Sequence, residues 1–138
     1  MPTYLEHANI TVPDIDAAIR FLKLVDPEFV VRHKGYDKRR WAHFGNDRFY
    51  VALEEPEEVE GALRPARPYQ DYGVNHLGWV VENFDVVVAR LETAGFRQGI
   101  DVEPHPFRKR AYYFDEAGFE WEILEYLSEN PSERNSYA

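Results

Sequence analysis

A repeat with a spacing of 69 residues constrains the fold of this chain more than any other feature. Residues 5–22 align without a gap with residues 74–91, and each copy contains a histidine at the same place, His7 and His76. In both copies four apolar residues follow at i, i+3, i+4 and i+7, the spacing of one face of an α-helix. They are Ile15, Ala18, Ile19 and Leu22 in the first copy, and Phe84, Val87, Val88 and Leu91 in the second. The sequence therefore predicts two copies of one structural unit.

Each copy is predicted to have the element order β-α-β-β-β. An alternating segment, residues 4–12 in the first copy, precedes the helix, and Asp14 and Asn83 stand where a helix N-cap is expected. The strands predicted after the first helix are EFVVRHKG, RRWAHFG and RFYVALEE. Those predicted after the second helix, which should end at Gly95, are FRQGIDVE, RKRAYYF and FEWEILEY. Because one such unit leaves a sheet face uncovered, the predicted fold is α+β: paired βαβββ modules forming a curved mixed sheet around a central cavity, with the helices outside.

The two predicted modules span residues 4–54 and 74–126 of a single domain, which suits a chain of 138 residues. Residues 55–73 between them contain three prolines and many charges, a composition typical of an exposed linker. The polar tail, residues 127–138, is predicted to be loose unless a partner orders it.

Composition excludes several classes of function. A formal net charge of −9 argues against non-specific nucleic-acid binding, which needs a basic surface. The absence of cysteine excludes thiolate nucleophiles, cysteine-ligated metals and disulfides. No signal peptide and no apolar run of membrane-spanning length are visible. We therefore expect a soluble, cytoplasmic, acidic globular protein.

Alternation along the strands predicts which side chains lie opposite the helices. In the first strand of each copy, the residues that should pack on the helix alternate with His7 and with His76. In the last strand, two apolar residues should face the helix, which places Glu120 and Glu122 on the side of the histidines. Two imidazoles and a carboxylate are the donors of a site for Fe, Mn, Ni, Co or Zn that leaves coordination positions open for substrate. The alternative, that these are structural polar residues, stays open at this point.

Three motifs in this order resemble those of the vicinal oxygen chelate superfamily, which includes glyoxalase I, extradiol dioxygenases, fosfomycin-resistance proteins and bleomycin-resistance proteins. They are LEHANITVPDIDAAIRF, GVNHLGWVV and YYFDEAGFEWEILEY, and the resemblance extends over residues 4–126. It implies a divalent metal ion held by His7, His76 and Glu122, a small-molecule substrate and a homodimer.

The position equivalent to Glu122 in the first module separates the subfamilies. Glyoxalase I enzymes have a further glutamate on the last strand of that module. The alternation places Ala52 there in this chain, and Glu54 could replace the missing carboxylate only if the register shifted by two. A standard glyoxalase I reaction, in which that glutamate would serve as the base, is therefore placed in doubt.

Fosfomycin-resistance enzymes and extradiol dioxygenases use two histidines and one glutamate in this order. This chain has Asn9 where the fosfomycin-type proteins have threonine, and PHPFRKR lacks their Ser/Gly loop. The dioxygenases need an additional His and Tyr near the substrate, for which His43, Tyr112 and Tyr113 are the candidates. Neither subfamily is matched completely.

Further polar and aromatic residues are candidates for chemistry or for substrate binding. The candidates for proton transfer are Glu54, Glu120, His43 and Tyr112. The candidates for substrate contact are Asn9, Arg39, Arg108, Trp41 and Tyr50. The arginines belong to basic pairs that repeat with the same spacing, residues 39–40 and 108–109, and could hold an anionic group. Solvated hairpin ends and ordinary aromatic packing are the structural alternatives.

The leading hypothesis is a metal-dependent enzyme that chelates a small oxygen-bearing substrate, with glyoxalase-like lyase or isomerase chemistry. Extradiol-type dioxygenation and fosfomycin-resistance-type group transfer are alternatives. A non-catalytic, bleomycin-resistance-like binding protein is another, and a regulatory or scaffold module is a third.

Overall fold

The chain is described by a computed structural model that covers residues 2–57 and 67–137. It divides into two compact units, Met1–Pro65 (unit 1) and Ala66–Ala138 (unit 2). The central part of the predicted linker, residues 58–66, lies outside the described residues. In the part of the chain that is described, no helix is long and apolar enough to cross a bilayer.

Unit 1 has the predicted order of five elements. They are β1 (His7–Thr11), α1 (Ile15–Val25), β2 (Val30–Tyr36), β3 (Arg40–Gly45) and β4 (Tyr50–Glu54). The sheet order is β1-β4-β3-β2, with β1 parallel to β4 and the other pairs antiparallel. This confirms the βαβββ prediction for the first copy.

The ends of α1 follow from its flanking residues. Asp14 caps the helix, because its Oδ1 atom accepts hydrogen bonds from the backbone N–H groups of Asp16 at 2.9 Å and Ala17 at 3.4 Å. At the other end, Asp26 is extended (φ −142°, ψ 106°), as the residue before a proline prefers. Apolar side chains of α1 and of the strands form the core of the unit. They include Ile15, Phe21 and Leu22 of the helix, and Phe44, Val51 and Leu53 of the sheet.

Unit 2 contains two helices and a three-stranded sheet. Its elements are β5 (His76–Val80), α2 (Phe84–Thr93), β6 (Arg108–Phe114), β7 (Glu120–Tyr126) and α3 (Pro131–Arg134). The sheet order is β5-β7-β6, with β5 parallel and β6 antiparallel to β7. The α+β class and the paired modules with helices alongside their sheets are thus confirmed.

The prediction of a strand at FRQGIDVE, residues 96–103, was wrong. This segment contacts β6 through an isolated bridge between Gln98 and Tyr113 and through two backbone hydrogen bonds. Gly99 N–H donates to the carbonyl of Tyr112 at 2.7 Å, and Phe114 N–H donates to that of Arg97 at 2.9 Å. After Gly99 the apolar side chain of Ile100 is left 60% exposed and the chain reaches Pro104, so the pairing does not continue.

The helices of the two units are anchored by equivalent contacts. The Glu55 carboxylate accepts a hydrogen bond from the N–H of Ile15 at 2.9 Å, and the Glu125 carboxylate accepts one from the N–H of Phe84 at 2.8 Å. Ion pairs repeat as well: Arg40 with Asp16 at 2.7 Å, and Lys109 with Asp85 at 3.0 Å. Asn83 occupies the N-cap position of α2 but makes no side-chain cap bond. The repeat therefore includes the attachment of each helix to its own sheet.

The polar tail is held by unit 2 in this structure. Asn130 caps the short α3 helix by accepting from the N–H of Ser132 at 3.0 Å. The buried Arg108 guanidinium donates to the carbonyls of Arg134 at 3.0 Å and Ser136 at 2.7 Å. The ring of Tyr137 lies 4.6 Å from the same guanidinium.

Candidate functional site

The open face of the unit 2 sheet brings together three residues named from the sequence. Across the parallel β5–β7 pair, His76 is paired with Glu120 and Gly78 with Glu122. Trp121 lies between the two glutamates in sequence, points to the opposite face and is buried. His76, Glu120 and Glu122 consequently share the face that the alternation predicts.

The imidazole of His76 lies between the two carboxylates. Its Nε2 atom is 3.5 Å from Oε2 of Glu122, and its Nδ1 atom is 3.7 Å from Oε1 of Glu120. Glu120 is buried, with 5% of its surface exposed, and only 14% of the Glu122 side chain is exposed. Two acidic groups in so little solvent require cationic or hydrogen-bonding partners.

Tyr69 supplies one of those partners, and sequence analysis did not identify it. Its hydroxyl group donates to Oε1 of Glu120 at 2.9 Å and lies 3.2 Å from Nδ1 of His76. Partial desolvation of the hydroxyl group, followed by the hydrogen bond to Glu120, raises the pKa of Tyr69 above its ordinary value. The residue falls in the predicted linker, where a tyrosine among charges and prolines was the only signal.

Tyr112 and Arg110 complete this face next to Glu122. Tyr112 is paired with Glu122 across β6 and β7, and its ring meets that of His76 edge-on, with centroids 5.2 Å apart. Burial and the neighbouring Glu122 raise the pKa of Tyr112. Nη1 of Arg110 lies 3.7 Å from Oε1 of Glu122. The basic pair chosen from the repeat, Arg108 and Lys109, did not include this arginine.

The open face of unit 1 carries a row of stacked rings. Tyr50 stacks on His7 with centroids 4.8 Å apart and on His43 with centroids 4.7 Å apart. Trp41 lies beyond His43, at 5.2 Å between centroids. Burial, followed by the charges of neighbouring basic groups, lowers the pKa of His43. The Nδ1 atom of the exposed His7 is 2.9 Å from Oε1 of Glu6.

The register of unit 1 agrees with the predicted absence of a carboxylate at position 52. Ala52 is paired with Asn9 across β1 and β4, as Glu122 is with Gly78 in unit 2. Glu54 lies two residues further along and accepts a hydrogen bond from Nη1 of Arg39 at 3.1 Å.

The two arginines proposed as substrate contacts already have carbonyl or carboxylate partners. Arg39 binds Glu54 and also Glu57, the latter at 2.7 Å, and Arg108 binds the carbonyls of the tail. Asn9, Trp41 and Tyr50 lie on the open face of unit 1.

The chemistry of the His76–Glu122 pair fits a metal ion. Two donors 3.5 Å apart can both lie about 2.1 Å from one divalent ion, and imidazole nitrogen with carboxylate oxygen suits Mn, Fe, Co, Ni or Zn. Across residues 2–57 and 67–137, no group of three or more His, Asp or Glu side chains is arranged to hold an ion. Unit 2 thus contains two of the three ligands implied by the sequence, and His7 belongs to unit 1.

Comparison with known protein families gives a match over most of the chain. The family model described as the glyoxalase/bleomycin resistance protein/dioxygenase superfamily matches residues 6–114. No curated protein sequence gives a significant match.

Solved structures with the same fold are numerous. The glyoxylase/bleomycin resistance protein/dioxygenase domain from Frankia sp. EAN1pec has 22% identity and a TM-score of 0.73, over 91% of this chain and 99% of that one. The trypanothione-dependent glyoxalase I of Leishmania major has 21% identity and a TM-score of 0.68, over 90% and 87%. The fosfomycin resistance protein FosX of Listeria monocytogenes, complexed with Mn(II) and sulfate, has 15% identity and a TM-score of 0.66, over 99% and 100%. At these identities the likeness concerns the fold.

Proposed function

Because the chain belongs to the glyoxalase/bleomycin resistance protein/dioxygenase superfamily, we propose that it is a small enzyme dependent on a divalent metal ion. The proposed ligands are His7, His76 and Glu122. The observation that carries the proposal is the approach of His76 Nε2 to Glu122 Oε2, 3.5 Å, on the open face of unit 2. His7 is included because it occupies in unit 1 the strand position that His76 occupies in unit 2.

The environment of the His76–Glu122 pair supports a ligand role. His76 presents its Nε2 side to Glu122, while its Nδ1 side meets Tyr69 and Glu120. Metal-binding histidines usually use the second ring nitrogen in such an outer contact. Mn(II) is present in the Listeria protein that shares this fold, so Mn(II) is a suitable first ion to test.

The proposed chemistry is of the glyoxalase type, lyase or isomerase, on a small oxygen-bearing substrate. A bound divalent ion would supply Lewis-acid polarisation of the substrate oxygens. The side chains best suited to move a proton beside it are Glu120, which is buried and accepts from Tyr69, and Tyr112, which adjoins Glu122. His43 and Glu54 on the open face of unit 1 are the other candidates.

Substrate contacts are proposed for both units. Asn9, Trp41 and Tyr50 offer an amide and two aromatic surfaces on unit 1. An anionic substrate group would compete for Arg39 with Glu54 and Glu57, whereas Arg108 would first have to release the tail. We also propose a homodimer, which light scattering of the purified protein tests.

Metal analysis of purified protein tests the central proposal. Wild-type protein should bind about one divalent ion per chain. His7→Ala, His76→Ala and Glu122→Gln should each weaken binding by at least about tenfold, the effect expected even of an outer contact. The control is His33→Ala, which removes an exposed histidine that is not a proposed ligand. Equal metal uptake by all four variants and the wild type would exclude the proposed ligand set.

The row of rings on the open face of unit 1, formed by His7, Tyr50, His43 and Trp41, favours a second candidate function, which is ligand binding without catalysis. Three stacked rings and a neighbouring indole form a surface on which a planar ligand could pack. Under this alternative, ligand affinity would fall in Tyr50→Ala and would not respond to chelation of the metal. A screen of possible substrates, with and without metal, distinguishes binding from catalysis. Dicarbonyl adducts test the isomerase reaction, catechols the dioxygenase reaction and phosphonate epoxides the transferase reaction.

A further inference from the structure

Tyr69, in the turn at residues 67–71, contacts both Glu120 and His76 on the open face of unit 2. The Tyr69 hydroxyl has a single proton, and the geometry assigns it to Oε1 of Glu120, at 2.9 Å. The hydroxyl oxygen can then only accept at Nδ1 of His76, 3.2 Å away. An acceptor at that position requires a proton on Nδ1. The neutral imidazole is consequently left with its lone pair on Nε2, the atom that faces Glu122.

We propose that Tyr69 is a positioning residue that selects the Nδ1–H tautomer of His76 and thereby prepares Nε2 to bind a metal ion. This inference rests on the proposed function, because it concerns one of the proposed ligands. Glu120 takes part as the acceptor that fixes the direction of the tyrosine hydroxyl. The carboxylate itself is 3.7 Å from Nδ1, too far for a good direct hydrogen bond, so the hydroxyl bridges the gap.

The backbone around Tyr69 is built to hold it in this position. Tyr69 has a left-handed conformation (φ 64°), which is uncommon for a residue other than glycine. Its N–H donates to Oδ1 of Asn75 at 2.6 Å, and Asn75 directly precedes His76. The turn is closed by Asp71, which binds the backbone N–H of Arg67 at 2.8 Å and its guanidinium at 2.8 Å. The strain at Tyr69 is thus offset by contacts that tie the turn to the histidine strand.

The test compares Tyr69→Phe with Tyr72→Phe. Tyr72 lies three residues away and is fully exposed, so its variant controls for the loss of a phenol in the same segment. Tyr69 is itself 59% exposed, and its replacement by phenylalanine should not prevent folding. Asn75→Ala, which releases the Tyr69 backbone, is a second variant expected to act in the same direction.

Two measurements are made on each protein. Nitrogen NMR of the metal-free protein, at a pH where the imidazole is neutral, reports which ring nitrogen of His76 carries the proton. Calorimetric titration with Mn(II) reports affinity. Tyr69→Phe should lower the Nδ1–H population and weaken Mn(II) binding by about ten- to a hundredfold, and Tyr72→Phe should change neither.

An unchanged His76 tautomer in Tyr69→Phe, or unchanged Mn(II) affinity with a changed tautomer, would overturn the inference. Failure of the proposed function looks different. In that case the wild-type protein would bind no Mn(II), while the metal-free spectra would still show whether Tyr69 selects the tautomer.

Discussion

Glu122 and Ala52 occupy equivalent register positions in the two units, and only one of them carries a carboxylate. Glu122 is paired with Gly78 in the parallel pair of unit 2, and Ala52 is paired with Asn9 in that of unit 1. The duplicated fold therefore provides two equivalent histidines but a single glutamate at these positions. Under the proposed function, this asymmetry gives three protein ligands instead of four.

Restoring the symmetry should strengthen metal binding. Ala52→Glu places a carboxylate at the unit 1 position, at a cost of about 1–3 kcal/mol in metal-free protein because the site is 4% exposed. Thermal unfolding with and without Mn(II) should show a larger metal-induced stabilisation in Ala52→Glu than in the wild type. Ala52→Gln is the control of equal size. Equal metal-induced shifts in both variants would contradict a ligand role for position 52.

The glutamates that anchor the helices should differ in importance. In unit 1, α1 keeps its Asp14 cap when Glu55 is removed, whereas the N-cap residue of α2, Asn83, makes no side-chain cap bond that could replace the contact with Glu125. Glu125→Ala should lower the free energy of unfolding by about 1–2 kcal/mol, and Glu55→Ala by less. Urea denaturation measures both, with Glu129→Ala, an exposed position nearby, as the control. A greater loss of stability in Glu55→Ala than in Glu125→Ala would contradict the expectation that the Asp14 cap limits the effect of removing Glu55.

Tyr113 should make unit 2 sensitive to alkaline pH. Its ring is buried, and burial together with the hydrogen bond to Glu92 raises the pKa of its hydroxyl from 10.0 to about 12. The folded state thus holds this proton more tightly than the unfolded state. The stabilisation is present below about pH 10 and is lost as the pH rises toward 12, up to about 3 kcal/mol.

Comparison with Tyr113→Phe isolates this effect. The variant loses the bond to Glu92, about 1 kcal/mol at neutral pH, but has no proton to release. The stability advantage of the wild type should shrink between about pH 10 and pH 12 in urea denaturation. The difference in stability between the wild type and Tyr36→Phe, a substitution at an exposed position, should stay constant over the same pH range. A constant difference for Tyr113→Phe as well would argue against the shifted pKa.

The turn between β6 and β7 should depend on Asp115. This buried carboxylate accepts from the indole N–H of Trp121 at 3.0 Å and from the backbone N–H of Phe119 at 3.0 Å. Asp115→Ala removes the hydrogen bonds to the buried Trp121 indole and to the Phe119 backbone, so a loss of about 2–3 kcal/mol is expected. Asp101→Ala, at an exposed position, is the control and should change little. Chemical denaturation that gives equal values for both would contradict this role of the aspartate.

The fold was largely predictable because periodicity records which side of each element is buried. Alternation correctly placed His76, Glu120 and Glu122 on the open face of the unit 2 sheet. It also placed Val51 and Leu53 on the buried, helix side of β4 in unit 1. Register across the parallel pair also followed from the repeat, including the alanine at position 52.

The errors and omissions come from contacts that have no periodic signal. Residues 96–103 contain enough β-branched and apolar residues to suggest a strand, yet they make only two backbone hydrogen bonds to β6. Tyr69 reaches the site from a turn whose conformation depends on the side chains of Asp71 and Asn75. The hydrogen-bond partners of Arg108 depend on where the tail lies, and the spacing of basic residues does not indicate this. Such outcomes are determined by tertiary structure.

The segment beside β6 has a consequence for association. β6 is the outermost strand of its sheet, and an outer strand normally offers its backbone as a template for pairing with another polypeptide. Arg97 and Gly99 occupy hydrogen-bonding positions at Phe114 and Tyr112. At the other end of the strand, an isolated bridge joins His105 to Arg108. Addition of a further strand at this edge would require the segment to leave. An irregular stretch of chain thereby protects the sheet from edge-to-edge aggregation without being a strand itself.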